Sequence, residues 1–559
     1  MKISLAQLDP HLGAFDANLR KIQEKYKRAC SERARFLLTS EMVVSGYPLY
    51  DWIERPELLR KTEEVLEFLT RLTQNQSTAL VVGHIWVNPS SQGRAFQNGV
   101  SVLEGGRVVF RQAKTLLPVY DVFDESRYFE PAEKIELWNC DGCPIALAIC
   151  EDLWGAAPKA GRLLYRDHPV ETYQRLGAKL VVSLSASPYE WVKSAERERL
   201  HQEVVQKLKV PLIYVNQVGA YDEILFDGGS FVLDAEGARA GGLPFFAPAE
   251  GSVVFDPLSN RLSDLSLSAS QDSDWEILMR GLVLGIREYF SQTGFKKAVL
   301  GLSGGLDSAV VAALAVLALG AENVLAVAMP SQYSSSHSLE DAEILARKLG
   351  IRIEVRPIKF AFATLSREFS ELRGTLNAVA LENLQSRLRG MLLMTLSNHD
   401  SSLVLTTGNK SEIAMGYCTL YGDMNGALCP LGDLYKTQVY QLAQHLNRTR
   451  GDLIPDRILT KAPSAELRPH QKDQDTLPPY DVLDQFLCGY LEQNESVSVL
   501  EQQFKNVLPD QGQGSVRDLV RRIQQNEYKR RQGAPILKVS QKAFGVGRRV
   551  PLAKAFVEA

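Results

Sequence analysis

The segment Gly301-Leu-Ser-Gly-Gly-Leu-Asp-Ser308 lies between two apolar runs of unequal length, and that placement constrains the fold more than any other feature of the chain. Lys297-Ala-Val-Leu-Gly-Leu302 suits a buried parallel strand, whereas Ala309-Val-Val-Ala-Ala-Leu-Ala-Val-Leu-Ala-Leu319 is long enough to be a helix. The glycines therefore fall where strand becomes helix. Adjacent glycines let the backbone approach a ligand, a helix N-terminus offers unpaired N–H groups and positive dipole, and Ser303 and Ser308 add hydroxyls. Such a turn suits an anion, and it reads as nucleotide-binding. It is not the common P-loop, which carries a lysine for the outer phosphates. Asp307 stands here instead, and a carboxylate beside phosphate calls for a divalent cation between them, so the reading is a Mg²⁺-bridged pyrophosphate.

A formal net charge of -3 leaves no overall attraction for nucleic acid or an anionic membrane, so small anions must be held locally. No apolar run is long enough to span a bilayer, and no apolar leader follows Met1. The cysteines number 7 and are scattered, which fits reduced thiols and a cytoplasmic setting. Cys140-Asp-Gly-Cys143 has zinc-knuckle spacing without a second pair, so two cysteines flanking an Asp-Gly turn is the better reading.

With 559 residues, about two to four domains are expected. In the first half, strand candidates at Ile3–Leu8, Phe36–Thr39, Ala79–Gly83, Gly99–Leu103, Ile145–Ile149, Leu180–Leu184 and Leu212–Asn216 are interspersed with helical stretches such as Asn18–Ser31 and Pro56–Asn75. A Ser/Asp-rich stretch near 263–274 reads as a linker between a domain at 1–262 and another at 275–559. The second half alternates again: helix 275–292, strand 297–302, helix 308–319, strand 324–329, helix 338–349, strand 351–357. That pattern predicts a doubly wound parallel sheet with the glycine turn at a strand's carboxyl end, where such sheets bind ligands.

Further along, Met329-Pro-Ser and Thr406-Thr-Gly-Asn-Lys-Ser-Glu412 follow strands and offer hydroxyls, backbone N–H groups and a carboxylate. Glu412 is a candidate to complete a Mg²⁺ shell begun by Asp307, and Lys436 and Lys461 are candidates to neutralise a leaving pyrophosphate. The glycine turn resembles the SGGxDS loop of the N-type ATP pyrophosphatases. Glu382-Asn-Leu-Gln-Ser-Arg387, Thr407-Gly-Asn-Lys-Ser-Glu412, Tyr421-Gly-Asp423, Pro463-Ser-Ala-Glu-Leu467, Leu477-Pro-Pro-Tyr480 and Tyr528-Lys-Arg resemble, in order, the NAD⁺ synthetases. The resemblance implies ATP-dependent adenylation of the nicotinate carboxylate of deamido-NAD⁺, then displacement of AMP by ammonia. It also implies that Gly301, Leu302, Ser303, Gly304, Gly305, Leu306, Asp307, Ser308, Thr407, Lys436 and Ser464 contact ATP, with Asp307 and Glu412 as metal ligands. Asn383, Arg387, Glu412, Asp423 and Lys529 would lie near deamido-NAD⁺.

Ammonia is scarce as the free base at neutral pH, so a supplier is expected, and the first half offers one. Glu41 follows a strand, Lys114 lies in Arg111-Gln-Ala-Lys-Thr-Leu-Leu-Pro, and Cys150 ends a strand before Glu-Asp-Leu-Trp-Gly. A thiol can attack an amide if a base takes its proton and a cation stabilises the oxyanion. On spacing alone, a buried structural cysteine remains the alternative. These contexts resemble the nitrilase (carbon-nitrogen hydrolase) superfamily over residues 1 to about 260. That resemblance implies Glu41 as general base, Lys114 as oxyanion stabiliser, Cys150 as nucleophile and Glu125 as a second active-site glutamate. It implies Tyr120, Ser187 and Lys193 as glutamine-binding residues, with Ser185 as the alternative to Ser187.

Together the resemblances imply an α/β chain with a nitrilase-like α-β-β-α sandwich followed by a doubly wound, Rossmann-like parallel-sheet domain of the adenine nucleotide alpha hydrolase type. They imply a glutamine-fed ligase using ATP and Mg²⁺, with deamido-NAD⁺ and glutamine or ammonia as substrates. The expected assembly is a homo-oligomer, at least a dimer, with no nucleic-acid or membrane partner. Other glutamine-fed pyrophosphatases, such as GMP or asparagine synthetases, would lack the Glu382-Asn and Pro463-Ser-Ala-Glu-Leu segments. A non-catalytic nucleotide-binding scaffold is opposed by the intact Glu41, Lys114, Cys150 and glycine turn, and the basic stretch from Tyr528 to Arg549 is its only support.

Overall fold

The computed structural model describes residues 1–154, 164–166, 168–191, 193–267, 272–556 and 558. The chain forms two compact units, Met1–Tyr221 with Leu225–Ile277, and Asp222–Ile224 with Leu278–Ala559.

The first half of the chain runs β1 (Lys2–Gln7), α1 (Phe15–Ser31), β2 (Phe36–Leu38), α2 (Pro56–Leu72), β3 (Ala79–Val87), β4 (Phe96–Glu104), β5 (Arg107–Ala113), β6 (Trp138–Cys140) and β7 (Cys143–Ile149). It continues through α3 (Pro169–Leu176), β8 (Leu180–Ser185), α4 (Lys193–Leu208), β9 (Leu212–Asn216), β10 (Val218–Tyr221), β11 (Ile224–Asp227), β12 (Phe231–Leu233), β13 (Arg239–Gly242), β14 (Ala249–Asp256) and β15 (Arg261–Ser263). One sheet has the order β15-β14-β1-β2-β3-β4-β5 and another β13-β12-β9-β8-β7-β6.

Strict alternation of buried apolar side chains sandwiches these sheets. Phe36, Leu38, Ala79 and Val81 join Ile145, Leu147, Val182 and Ile213 in one core between the sheets, where Phe36 meets Trp138 edge-on at 5.1 Å. The intervening Leu37, Leu80 and Val82 face the other way, onto Ile22 and Tyr26 of α1 and Val65 and Leu69 of α2. On the second sheet Ala146, Ala148 and Val181 likewise turn outward onto Tyr173 of α3 and Val204 of α4. A sheet apolar on both faces needs a cover on each side, and α-β-β-α layering supplies it. Leu265 and Leu267, inside the Ser/Asp-rich stretch, pack against the same intersheet core. Cys140 and Cys143 pair across the β6–β7 hairpin, whose Asp141 (φ 53) and Gly142 (φ 82) make the expected two-residue turn. β5, β6 and β10 to β15 went unmarked in the sequence because they are short or carry charges that dilute the period-two signal.

The second half runs α5 (Asp274–Thr293), β16 (Lys297–Gly301), α6 (Leu306–Leu319), β17 (Val324–Ala328), α7 (Ser336–Leu349), β18 (Arg352–Val355), α8 (Lys359–Arg373), α9 (Ala378–Asp400) and β19 (Ser402–Leu405). Smaller helices follow, among them α10 (Lys410–Met415) and α11 (Lys436–Arg450). The four strands form a wholly parallel sheet of order β18-β17-β16-β19. Val299, Val327 and Val404 of this sheet pack on Leu393 of α9. Their neighbours Ala298, Leu300 and Ala326 turn by alternation to the opposite face, toward α6 and α7. Helix α6 is apolar all round, and Ala309 to Ala315 are all buried, which is where an Ala/Val/Leu helix without a polar face belongs.

Leu147 is 1% exposed at the centre of the intersheet core. Leu147→Ala is expected to destabilise the first unit by about 2–5 kcal/mol, measured by urea denaturation followed by far-UV circular dichroism.

Candidate active sites

In the first unit two strand ends and a short turn deliver charged groups to one buried point. β2 ends just before Glu41, and the loop carrying it lies so close on β3 that a Cβ at Gly83 would meet Ser40 O at 2.4 Å and Met42 N at 2.7 Å. β5 ends just before Lys114, whose N–H donates to Asn98 O at 2.8 Å across the β4–β5 pair. Lys114 Nζ then donates to Glu41 Oε1 and to Glu125 Oε1, each at 2.8 Å. Asn98 Nδ2 donates to Glu41 Oε1 at 2.6 Å, the Ala186 N–H to Glu41 Oε2 at 2.9 Å, and Tyr47 O–H to Glu125 Oε1 at 2.9 Å. Glu41 and Lys114 are each 1% exposed.

Cys150 follows β7 directly. The parallel register pairs Ile149 with Leu184 and Ser185 with Asn216, so the carboxyl ends of β7, β8 and β9 form one rim. Cys150 sits there with φ +44, a left-handed conformation uncommon outside glycine and typical of residues held for a purpose. Burial pushes its thiol pKa up, Glu41 pushes it further, and Lys114 opposes. Burial works against the Lys114 ammonium, but Glu125 and Glu41 outweigh it and hold the pKa well above the usual lysine range. Burial and the like charge of Glu41 raise Glu125 to about 7 despite Lys114.

Tyr120 O–H donates to Glu151 Oε2 at 2.9 Å and Tyr165 O–H to Glu151 Oε1 at 2.9 Å. Lys193 Nζ bonds Glu190 at 3.2 Å, lies 5.7 Å above the Trp154 ring, and acts electrostatically on Glu151. Tyr120 and Lys193 thus gather on Glu151, a carboxylate that passed unnoticed in the sequence although it follows Cys150 directly. The Ser187 N–H is bound by Asn216 Oδ1 at 2.9 Å, while Ser185 Oγ lies 3.2 Å from Ser183 Oγ. Asn98 and Tyr47 were also missed; Asn98's only signal is an amide inside an otherwise buried strand.

In the second unit the glycine turn borders a cavity of about 320 Å³. Helix α6 begins at Leu306, earlier than expected, so Asp307 lies in its first turn. Gly301, Leu302, Ser303, Gly305, Leu306, Asp307, Ser308, Thr407, Glu412, Asp423, Lys436, Lys461 and Ser464 all line the cavity. Gly304 is not among its lining residues: with φ +74, and with Ser338 O only 2.1 Å from where a Cβ would be, it shapes the turn against α7. Ser303 and Ser308 hydroxyls lie 3.1 Å apart, and Ser308 Oγ donates to Gly305 O at 3.0 Å. Lys436 Nζ bridges Asp307 Oδ2 at 2.5 Å and Glu412 Oε1 at 3.1 Å. Burial and the nearby charges of Asp307 and Asp473 raise Glu412 to about 8 against the pull of Lys436. Two carboxylates sharing a cation, beside hydroxyls and N–H groups, fit Mg²⁺, which takes one or two carboxylates and fills its shell with phosphate oxygens and water. Among the described residues no cluster of three or more His, Cys, Asp or Glu stands ready to hold a metal without such help.

Asn383, Arg387 and Lys529 do not line this cavity. They converge instead on the loop from Gly416 to Asp423. Lys529 Nζ donates to Gly416 O at 2.8 Å and Cys418 O at 3.0 Å, Arg387 Nε donates to Leu420 O at 3.2 Å, and Thr419 Oγ1 donates to Asn383 Oδ1 at 2.8 Å. Asp423 Oδ1 accepts the Thr419 N–H at 2.6 Å. Much of the basic C-terminal stretch is likewise spent internally. Arg530 and Arg548 both bond Glu527 Oε2, and Arg530 also donates to Ala414 O at 2.9 Å. Glu466 was missed as a partner: it accepts from Lys461 at 3.0 Å and from Ser338 at 2.7 Å.

An amidohydrolase-type unit and a nucleotide-site unit in one chain define an amidotransferase-type ligase, and the comparisons agree. The carbon-nitrogen hydrolase family matches residues 2–249 and the NAD synthase family residues 278–533. A glutamine-dependent NAD(+) synthetase of Synechocystis sp. is 43% identical over 99% of both chains, and one of Acinetobacter baylyi is 38% identical over 99% of this chain and 98% of its own. The solved structure of the Acinetobacter baumannii glutamine-dependent NAD⁺ synthetase in complex with ADP is 34% identical, with a TM-score of 0.77 over 99% of this chain and 98% of that one. The chain belongs to the glutamine-dependent NAD(+) synthetases.

A thiol pKa raised by burial and by Glu41 leaves less thiolate at neutral pH than an ordinary cysteine has. Iodoacetamide alkylation of Cys150, followed by mass spectrometry, should therefore still be climbing at about pH 9.5, where a free cysteine has nearly levelled off.

Proposed function

We propose that the chain makes NAD⁺ from deamido-NAD⁺, ATP and glutamine by dividing the work between its two sites. The observation that carries this reading is the pair of ready charge arrangements, Glu41–Lys114–Glu125 beside Cys150, and Asp307–Lys436–Glu412 at the glycine turn.

In the first site Glu41 takes the proton of Cys150 as sulfur attacks the amide carbon of glutamine. Lys114 stabilises the oxyanion, and Glu41 returns the proton to the departing ammonia. Water, activated by Glu41, then releases glutamate from the thioester. Lys114 suits its role because its charge is held by two carboxylates and kept out of water, where a preorganised cation acts most strongly. Glu151, with Tyr120 and Lys193 around it, supports an amine- and carboxylate-binding end for glutamine, to which Ser187 adds a further contact.

In the second site a nicotinate carboxylate oxygen attacks the α-phosphorus of ATP and pyrophosphate leaves; ammonia then attacks the acyl carbon and AMP leaves. Backbone N–H groups at the start of α6, the Ser303 and Ser308 hydroxyls and Lys436 bind the phosphates, with Thr407 and Ser464 along the same cavity. Asp307 and Glu412 would hold Mg²⁺, whose charge offsets that of the phosphates. Asn383, Arg387, Asp423 and Lys529 position deamido-NAD⁺ through the loop they brace. Phe360, Leu372, Val379 and Met391, exposed on α8 and α9, support a homodimer through this unit. Seven cysteines without a disulfide support a cytoplasmic setting, and no helix of the described residues is long and apolar enough to cross a membrane.

The direct test is incubation with deamido-NAD⁺, ATP, Mg²⁺ and glutamine, where NAD⁺, AMP, pyrophosphate and glutamate should appear in equal amounts; xanthylate or aspartate in place of deamido-NAD⁺ should release no pyrophosphate. Cys150→Ala should abolish glutamine-dependent synthesis while ammonia-dependent synthesis continues, and a folded variant lacking both would defeat the division of labour. Asp307→Asn should lower synthesis about tenfold or more with either nitrogen donor, and the loss should shrink at high Mg²⁺.

A further inference from the structure

A second buried ion pair lies in the first unit, outside the machinery assigned above. Arg197 of α4 is 1% exposed and Asp227, at the end of β11, is 0% exposed. Arg197 Nη1 donates to Asp227 Oδ1 at 3.1 Å and Oδ2 at 3.0 Å. A buried pair of this kind is weak evidence for stability, because desolvating two charges costs about as much as their attraction returns. What it orients is more informative.

Asp227 Oδ1 also accepts from Asn216 Nδ2 at 3.0 Å, so the carboxylate fixes which way the Asn216 amide points. With its nitrogen held there, Asn216 Oδ1 is left to accept the Ser187 N–H at 2.9 Å, and Nδ2 also reaches Ser187 O at 3.2 Å. Ser187 is thereby clamped on both its backbone groups. The preceding residue is Ala186, whose N–H holds Glu41 Oε2 at 2.9 Å. Glu41's other oxygen, Oε1, is held by Lys114 and Asn98, so Ala186 is the partner that sets the second oxygen and with it the plane of the carboxylate. We infer that Arg197, Asp227 and Asn216 are positioning residues for glutamine hydrolysis, acting through the Ala186–Ser187 backbone to aim the Glu41 carboxylate at the Cys150 thiol. The inference rests on the reading of Glu41 as general base.

The chemistry gives such a relay its value. A proton moves between sulfur and a carboxylate oxygen only when the two are in hydrogen-bond reach and aligned, and a misplacement of about 1 Å can cost about a hundredfold in rate. An amide is suited to the middle of the relay because it donates and accepts at once. A carboxylate in place of Asn216 could not donate to Asp227, and a hydroxyl could not span both partners.

The test uses the full-length protein with two readouts, glutamate release from glutamine and the pH profile of Cys150 alkylation by iodoacetamide. Asn216→Ala is expected to lower glutamine hydrolysis by about tenfold or more and to move the Cys150 alkylation profile to lower pH, because a turned-away Glu41 no longer opposes the thiolate, with the far-UV spectrum unchanged. A merely structural role predicts instead a faster plateau at high pH with the midpoint in place, since a loosened pocket exposes the thiol at every pH. Hydrolysis within about twofold of the parent, or lost hydrolysis with the alkylation midpoint unmoved, would overturn the relay. Where Asn216→Ala does not fold, the double variant Arg197→Met, Asp227→Leu removes the anchor without leaving a lone buried charge, and the same outcomes decide. Glu41→Gln, run in parallel, separates the relay from the general-base reading it rests on: normal hydrolysis in that variant would sink the general-base reading itself, whereas lost hydrolysis in Glu41→Gln without loss in Asn216→Ala would sink only the relay.

Discussion

A lysine ammonium at 1% exposure is tolerable only if anions surround it, and Lys114 imposes that condition on the first unit. Its partners come from distant parts of the sequence: Glu41 after β2, and Glu125 from a short turn beyond β5. Bringing them together requires β2, β3, β4 and β5 to lie side by side in one sheet, with their ends in register. The second sheet must also close over the first, because Ala186, just past β8, supplies the donor to Glu41's other oxygen. The α-β-β-α sandwich is thus the scaffold that makes a dry, paired lysine affordable, and the dryness makes its charge useful to an oxyanion.

The second unit repeats the device with different elements. Lys436, 3% exposed, lies between Asp307 of the glycine turn and Glu412 of α10. The surroundings differ in the way the chemistry requires. Lys114 is enclosed beside a single thiol, whereas Lys436 borders an open cavity of about 320 Å³ with hydroxyls and helix N–H groups on its wall. An enclosed cation serves a small charge that develops and disappears; one facing a cavity serves a polyphosphate that must enter and leave. Nearby, Lys410 is wholly buried and joined to Asp433 at 3.0 Å and Glu492 at 2.7 Å. Asp433 in turn receives the N–H groups of Val539 and Ser540, so this third lysine serves to tie the C-terminal stretch to the core.

The sequence by itself determined the elements whose signals are local. The continuous apolar runs Phe36–Leu38 and Ala79–Val82, the all-round apolar helix after Ser308 and the glycine turn between strand and helix need only neighbouring residues to be read. The same locality made Asp307 and the 301–308 loop visible as chemistry, whereas Cys150 stood out only through the resemblance of its surroundings to the carbon-nitrogen hydrolases. What only the tertiary structure decided is which groups meet. That Gly304 faces α7 instead of the cavity, that Asn383, Arg387 and Lys529 brace a loop, and that Arg530 is turned inward onto Glu527 all depend on long-range packing. Asn98, Glu151, Asn216 and Asp227 stayed hidden for the same reason. A buried amide or carboxylate looks like any polar residue in a strand until the sheet register and the crossing helices show which hydrogen-bonding partner removes the cost of burying it.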